Sequence, residues 1–176
     1  MCAKKAATPA KFSVLEATFT ELQNAMTTGQ ISSKQLTQIY LERIEEYDRN
    51  GPKLRSVIET NPDALNMANA LDLERDAQGA RGPLHGIPIL LKDNIDTHDR
   101  MHTSAGSLAM ATSIAARDST VAARLRAAGA VLLGKANMTE WANFMTVGMS
   151  NGYSSRGGQG INPYKPGLDT GGSSSG

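Results

Sequence analysis

Two features of the sequence could together carry out acid–base chemistry on a hydroxyl group. Lys92 ends a nearly continuous apolar run over residues 86–91. A lysine that is desolvated there would have a lowered pKa, and its neutral amine could act as a general base. The hydroxyls of Ser173, Ser174 and Ser175 lie between glycines, whose backbone N–H groups can approach a ligand closely. These residue types suit acyl transfer, although a lysine at a strand end can also extend its amine into solvent.

Two further pairs of side chains have spacings that suggest chemistry. Asp93 and Asp96 could form a carboxylate pair, but an Asp-Asn-Ile-Asp segment after a strand is also ordinary turn and capping chemistry, which we favour. His98 and His102 are spaced like metal ligands on one helical face, but the neighbouring residues favour a loop there. We therefore expect no metal site.

Two glycine-containing segments resemble known motifs in spelling alone. Residues 129–135 approximate a nucleotide phosphate loop, but Ala136 replaces the required hydroxyl and the segment has the pattern of an apolar strand. Residues 172–176 approximate the G-x-S-x-G elbow of serine hydrolases, but no apolar strand precedes them. The richness of residues 151–176 in glycine and serine is also compatible with a flexible linker.

The elements that position these residues alternate between helices and strands. Apolar periodicity and capping residues predict helices over residues 13–26, 33–50, 62–78 and 118–128. Strands are predicted over residues 54–60, 86–92 and 131–134. The last two strands are apolar enough to be covered on both faces of a sheet. The alternation indicates an α/β protein.

Length, charge and cysteine content exclude several classes of protein. The 176 residues suit one domain, and 18 basic against 17 acidic residues give no basic block for nucleic acid. No apolar stretch approaches the ~20 residues that cross a bilayer. The single cysteine, Cys2, excludes disulfide frameworks and lies in a segment, residues 1–12, that we expect to be a disordered leader. We expect a cytoplasmic protein.

Five ordered segments of the chain resemble the amidase signature family. They are Gly82–Ile95, Thr103–Ser107, Ala128–Ala142, Asn162–Tyr164 and Gly171–Gly176. The resemblance implies a mixed β-sheet flanked by helices, of which residues 13–176 form the N-terminal portion, ending within the Gly/Ser-rich signature loop. It also implies a hydrolase that acts on non-peptide C–N bonds of small-molecule amides, with no cofactor, metal, nucleic acid or membrane partner.

The resemblance also implies roles for three residues. In this family a lysine is the base, a serine in a cis peptide bond relays the proton, and a second serine attacks the amide carbonyl. Lys92 matches the base and Ser173 the relay, whereas the attacking serine belongs to a later Gly-Gly-Ser or Asp-Gly-Ser motif that is absent from these residues. Ala142 and Ser173 are expected to contact the substrate. We therefore expect the 176 residues alone to be an inactive fragment.

Two alternatives remain open within this interpretation. The glutamine-dependent component of glutamyl-tRNA amidotransferase resembles the chain in all five segments, although the residues at 141–147 and 153–159 are more typical of stand-alone amidases. The other alternative is a non-catalytic remnant that binds other chains through an uncovered sheet edge.

Overall fold

The computed structural model describes residues 12–176. The leader predicted over residues 1–12 therefore lies, apart from Phe12, outside the described residues. The α-helices are α1 (Phe19–Thr27), α2 (Ser33–Arg43), α3 (Ala64–Gln78) and α4 (Thr120–Ala127). The strands are β1 (Val57–Thr60), β2 (Pro88–Lys92), β3 (Val131–Ala136), β4 (Tyr153–Ser154) and β5 (Gly158–Gln159). A π-helical segment, Ile44–Asn50, continues α2, and short 3-10 turns form at Leu108–Met110 and Glu140–Asn143.

The central element is a three-stranded mixed sheet in the order β1-β3-β2. Strand β2 runs parallel to β3, whereas β1 runs antiparallel to it. The last two strands form a separate antiparallel hairpin. The mixed sheet with flanking helices confirms the predicted fold class.

Helices cover both faces of the sheet. Successive side chains of β3 point to opposite faces, so neighbouring residues pack against different helices. Val131 and Leu133 pack in one cluster with the α3 residues Ala68 and Leu71. Leu132 instead packs in a cluster with Ala122 of α4. A third cluster joins α1 and α2 to the start of β2. Strand β3 is therefore the buried centre of the fold.

Three predicted helices begin later than their sequence patterns indicate. Helix α3 starts at Ala64 rather than at Pro62. Helix α1 starts at Phe19 rather than Ser13, because Thr18 and Glu21 form a reciprocal capping box at that point. Helix α4 starts at Thr120 behind an N-cap at Ser119, and its apolar residue Val121 is 53% exposed. Side-chain caps set the starts of α1 and α4.

Strand β2 packs against apolar clusters on both faces, as predicted, through Leu90 on one face and Leu91 on the other. Its residues are nevertheless less buried than the apolar run indicates. Strand β2 pairs only with β3 among the described strands, and four of its five residues are partly exposed. An edge strand has one neighbour, so its apolar residues bury less surface than those of a central strand.

Among residues 12–176 no helix combines the length and hydropathy needed to cross a bilayer.

Candidate active site

Strand pairing brings Lys92 beside the segment that follows β3. Lys92 is the last residue of β2 and pairs with Ala136, the last residue of β3. Because the two strands are parallel, the residues after both strands emerge at the same edge of the sheet. These are Asp93 on one side and Asn137, Met138 and Thr139 on the other. The sheet thus places a lysine next to a polar segment.

The segment after β3 holds the serine-rich loop, residues 169–176. The Thr139 amide donates to the Ser173 carbonyl at 3.0 Å, and the Gly176 amide donates to the Asn137 carbonyl at 3.0 Å. At the start of the loop, Asp169 accepts hydrogen bonds from the Asn151 side chain at 3.0 and 3.1 Å. The loop, whose composition is compatible with a flexible linker, is therefore fixed to the sheet edge.

Lys92 contacts two hydroxyls of this loop. Its Nζ lies 2.7 Å from Ser173 Oγ and 2.9 Å from Ser174 Oγ. The Gly172–Ser173 peptide bond is cis, the conformation that the resemblance implies. Both hydroxyls lie within hydrogen-bond reach of Lys92, which is only partly buried because β2 lies at the sheet edge.

Burial lowers the pKa of the Lys92 amine below the ordinary lysine value. Removing water destabilises the ammonium form, so the neutral amine becomes available at a lower pH. A neutral amine has one lone pair and can accept a proton from a serine hydroxyl. The pair formed by Lys92 and Ser173 can therefore carry a proton from the loop to the strand end.

Asp93 holds the turn that follows β2 through its hydrogen bonds. Its buried carboxylate accepts hydrogen bonds from the Ser104 hydroxyl and from the Gly106 amide, the latter at 2.8 Å. Its carbonyl accepts from the amides of Ser104 and Ala105, both at 3.2 Å. Asp93 thus fixes the 104–106 turn against the end of β2. Asp96, by contrast, is exposed.

Arg156 joins this turn to the opposite edge of the sheet. Its guanidinium lies 3.5 Å from Asp93 Oδ1 and donates to Ser104 Oγ at 3.1 Å. It also forms an ion pair with Glu59 of β1. Desolvation of Glu59 acts to raise its pKa, but hydrogen bonds from Arg156 and His102 together outweigh it and lower that pKa. The network fixes the β4–β5 hairpin beside the site.

The two histidines lie apart from the pair formed by Lys92 and Ser173. His98 Nδ1 lies 2.9 Å from the Ala115 carbonyl, and His102 Nδ1 lies 2.9 Å from Glu59 Oε1. In the part of the chain that the structure describes, no three His, Cys, Asp or Glu side chains form a group that could hold a metal ion.

Ala142 lines a cavity of about 440 Å³ beside the site, here named the Ala142 cavity. Two segments form its polar walls, the turn after β2 and the loop before the first 3-10 turn. These walls include Asn94, Asp96, Thr103 and Ser104. Its apolar wall includes Met110, Met138, Trp141, Ala142 and Phe144. Ser173, the other residue predicted to contact substrate, is not among the lining residues.

The sequence patterns missed two polar residues that organise this edge. Asn137 is 1% exposed, and its amide side chain bonds Arg55 O, Gly158 O and Ser154 Oγ. Lys135 is fully buried within β3, in the segment that only approximates a phosphate loop. The signal that identified Lys92, a lysine within an apolar run, also applies to Lys135.

Comparisons with known proteins agree with the geometry. The family described as Amidase matches residues 35–176. A probable amidase of Arabidopsis thaliana is 48% identical over 94% of this chain and 32% of its own length. The corresponding component, termed A, of the glutamyl-tRNA(Gln) amidotransferase of Methylococcus capsulatus is 43% identical over 90% of this chain and 31% of its own length.

Solved structures show the same fold. The native peptide amidase of Stenotrophomonas maltophilia superposes with a TM-score of 0.88 and 52% identity, over 91% of this chain and 32% of that enzyme. An amidase family protein of Bacillus anthracis superposes with a TM-score of 0.89 and 47% identity. The chain thus spans about a third of the length of the relatives it matches. On this evidence the chain belongs to the amidase signature family.

Proposed function

We propose that Lys92 is the general base and Ser173 the proton relay of an amide-hydrolysing site. The observation that carries this proposal is the 2.7 Å contact between Lys92 Nζ and Ser173 Oγ, which joins residues 81 positions apart in the sequence. The lowered pKa of Lys92 supports it, because only the neutral amine can accept a proton.

The proposed reaction begins with transfer of the Ser173 hydroxyl proton to the neutral Lys92 amine. Ser173 then takes the proton of an attacking serine, whose oxygen forms a bond to the amide carbonyl carbon. Return of the proton through Ser173 to the amide nitrogen releases ammonia or an amine and leaves an acyl-enzyme. Water, deprotonated through the same pair, hydrolyses the ester and restores the serine.

The attacking serine is proposed to come from the later family motif, which these 176 residues do not contain. The residues alone are therefore proposed to lack hydrolytic activity. The substrates are proposed to be small-molecule amides with non-peptide C–N bonds, held in part by the Ala142 cavity. The cytoplasmic location stays a prediction.

A chimaera tests the roles of Lys92 and Ser173. Residues 13–176 would replace the matching third of the Stenotrophomonas maltophilia peptide amidase, which supplies the remaining two thirds. We expect the chimaera to hydrolyse an amide that its parent accepts. Lys92→Ala and Ser173→Ala should each lower turnover by more than about 10²-fold, because each change interrupts the same proton path.

Ser175→Ala is the matched control, because the Ser175 hydroxyl contacts only the Gly171 carbonyl of its own loop, at 3.2 Å. We expect this variant to retain turnover within about threefold of the unmodified chimaera, because the substitution removes only this contact within a partly exposed loop. Near-normal turnover in Lys92→Ala would remove Lys92 from the mechanism. Near-normal turnover in Ser173→Ala alone would exclude Ser173 as the proton relay and would leave Lys92 as the base.

The amidotransferase alternative is supported by the 43% identity to the Methylococcus capsulatus protein. A component of that kind would act on glutamine within a complex. Co-purification of the chain with partner proteins would favour this alternative, whereas hydrolysis by the chimaera in their absence favours a stand-alone amidase.

A further inference from the structure

Lys135 is a buried cation that the proposed proton path does not use. The side chain is 0% exposed, and it lies on β3 between its partners Glu59 of β1 and Leu91 of β2. Its ammonium donates to the Ile95 carbonyl at 2.6 Å and to Thr103 Oγ1 at 3.0 Å. A buried ammonium needs such partners, because an unsatisfied donor or charge is costly away from water.

One partner of Lys135 lines the Ala142 cavity, and the other lies between two residues that line it. Ile95 lies between Asn94 and Asp96, which line the cavity from the turn after β2. Thr103 lines the cavity from the loop that precedes the first 3-10 turn. The ammonium group therefore joins two backbone segments, which are also joined by the hydrogen bonds from the Ser104 and Ala105 amides to the Asp93 carbonyl.

A backbone hydrogen bond links the wall that contains Thr103 to the apolar wall of the cavity. The carbonyl of Ala105, two residues after Thr103, accepts a hydrogen bond from the Trp141 amide at 2.9 Å. Trp141 and Ala142 form the apolar wall together with Met138. A shift of the 103–105 loop would thus move Trp141 as well, so the position of Lys135 affects three sides of the cavity.

The charges around Lys135 explain how an ammonium is retained at this depth. Burial lowers the pKa of Lys135, while four carboxylates attract the ammonium and raise it. These are Asp93, Asp96 and Asp99 from the 93–99 turn and Glu59 from β1. Other basic groups also pair with this set: Arg156 and His102 pair with Glu59, Arg156 lies 3.5 Å from Asp93, and Arg126 pairs with Asp99.

We propose that Lys135 is a positioning residue that holds the walls of the Ala142 cavity in the arrangement that binds the apolar part of an amide ligand. The inference rests on the proposed function, since that function supplies the amide. Lys135 acts through Ile95 and Thr103 and does not itself line the cavity.

Trp141 allows the proposal to be tested in the 176-residue chain without catalysis. It is the only tryptophan and lines the cavity, so its fluorescence reports both ligand binding and wall position. The probe is 3-phenylpropanamide, which carries an amide and an apolar ring. We expect Lys135→Met and Thr103→Val to raise the Kd of this probe by about tenfold, as loss of a charge-assisted hydrogen bond predicts.

Two conservative variants serve as controls. Thr103→Ser keeps the hydroxyl that accepts from Lys135, and Lys34→Met removes an exposed lysine of α2. Both should bind the probe with a Kd within about twofold of the unmodified chain. Circular dichroism at the titration temperature checks folding, and Thr103→Val carries the test if Lys135→Met does not fold. A purely structural role would lower the melting temperature of Thr103→Val and leave its Kd unchanged, which would overturn the proposal.

Acrylamide quenching of Trp141 without ligand separates this proposal from the proposed function. If the unmodified chain does not bind 3-phenylpropanamide, the Ala142 cavity does not hold the substrate, and that statement of the proposed function is wrong. Quenching then still tests Lys135: greater quenching in Thr103→Val than in Thr103→Ser supports its control of the cavity walls. Equal quenching in both folded variants would contradict it.

Discussion

At the scale of single residues, Lys92 and Lys135 show how burial and partners assign different tasks to the same side chain. Lys92 is partly buried at an edge strand, and its amine meets the hydroxyls of Ser173 and Ser174. Lys135 is fully buried in the central strand, and its ammonium meets a carbonyl and a threonine hydroxyl. The two lysines therefore differ in burial and in the segment that they contact, because only Lys92 contacts the serine-rich loop.

The lowered pKa of Lys92 predicts a defined pH dependence. Below this pKa the amine is protonated and cannot act as a base, and above it the neutral amine is present. Labelling of Lys92 by trace acetic anhydride should therefore rise at a lower pH than the value of ~10.4 that is usual for lysine. Site-resolved mass spectrometry across a pH series measures this rise. A midpoint for Lys92 at or above the usual value would contradict the account.

The sequence identifies Lys92 because a cation at the end of an apolar run is unusual, whereas it assigns no role to Lys135. Residues 129–135 resemble a phosphate loop only in spelling, and excluding that motif leaves the buried ammonium without a function. The partners of Lys135 lie 32 and 40 residues away in the chain. Such contacts depend on strand pairing, which the local pattern does not specify.

At the scale of elements, the close approach of β1 and β3 depends on Gly134. A Cβ atom at this position would overlap the Glu59 carbonyl oxygen and would lie 3.2 Å from Leu90 Cδ2. The glycine therefore lets the two neighbouring strands pack against β3 without displacement. Because Lys92 and Asn137 lie at the ends of β2 and β3, this packing also sets the geometry of the site.

We expect Gly134→Ala to lower the free energy of unfolding by roughly 1–3 kcal/mol, because the added methyl group overpacks the sheet. Urea denaturation followed by circular dichroism measures the change. Gly82→Ala is the matched control, since a Cβ there meets no atom within 4 Å, and its effect should stay within about 0.5 kcal/mol. Equal stability of the two variants would show that β3 can shift to accommodate the methyl group.

Helix and strand identities are predictable from periodicity, but their ends and neighbours are less so. The start of α1 depends on the Thr18–Glu21 capping box, which the apolar pattern beginning at Ser13 obscures. The burial of β2 is overestimated because an apolar run does not distinguish a central strand from an edge strand. The pairing order β1-β3-β2 arises from tertiary contacts.

At the scale of the whole molecule, four of the five segments that carry the family resemblance converge on one site. Gly82–Ile95 contributes Lys92, Thr103–Ser107 the turn held by Asp93, Ala128–Ala142 the support for the serine loop, and Gly171–Gly176 the hydroxyls. This convergence explains why ordered short segments predict the family. The cavity and its buried lysine are visible only in the folded chain.

The described part of the chain also presents apolar surface beside the site. Phe144, Met145 and Val147 are 89%, 72% and 106% exposed, and β2 has a strand neighbour on one side only. The relatives are about three times as long as the chain, so further residues are available in them to cover such surfaces. The proposed nucleophile would come from those residues.

Site-resolved labelling with a serine-directed fluorophosphonate tests the central claim most directly. Ser173 is proposed to relay a proton rather than to attack, so the 176-residue chain should remain unlabelled. In the chimaera with the Stenotrophomonas maltophilia enzyme, the label should appear on a serine of the added two thirds. Mass spectrometry of the proteolytic peptides locates the phosphonyl group in both proteins. Stoichiometric labelling of Ser173, Ser174 or Ser175 in the short chain would contradict the account, because the nucleophile would then already be present there.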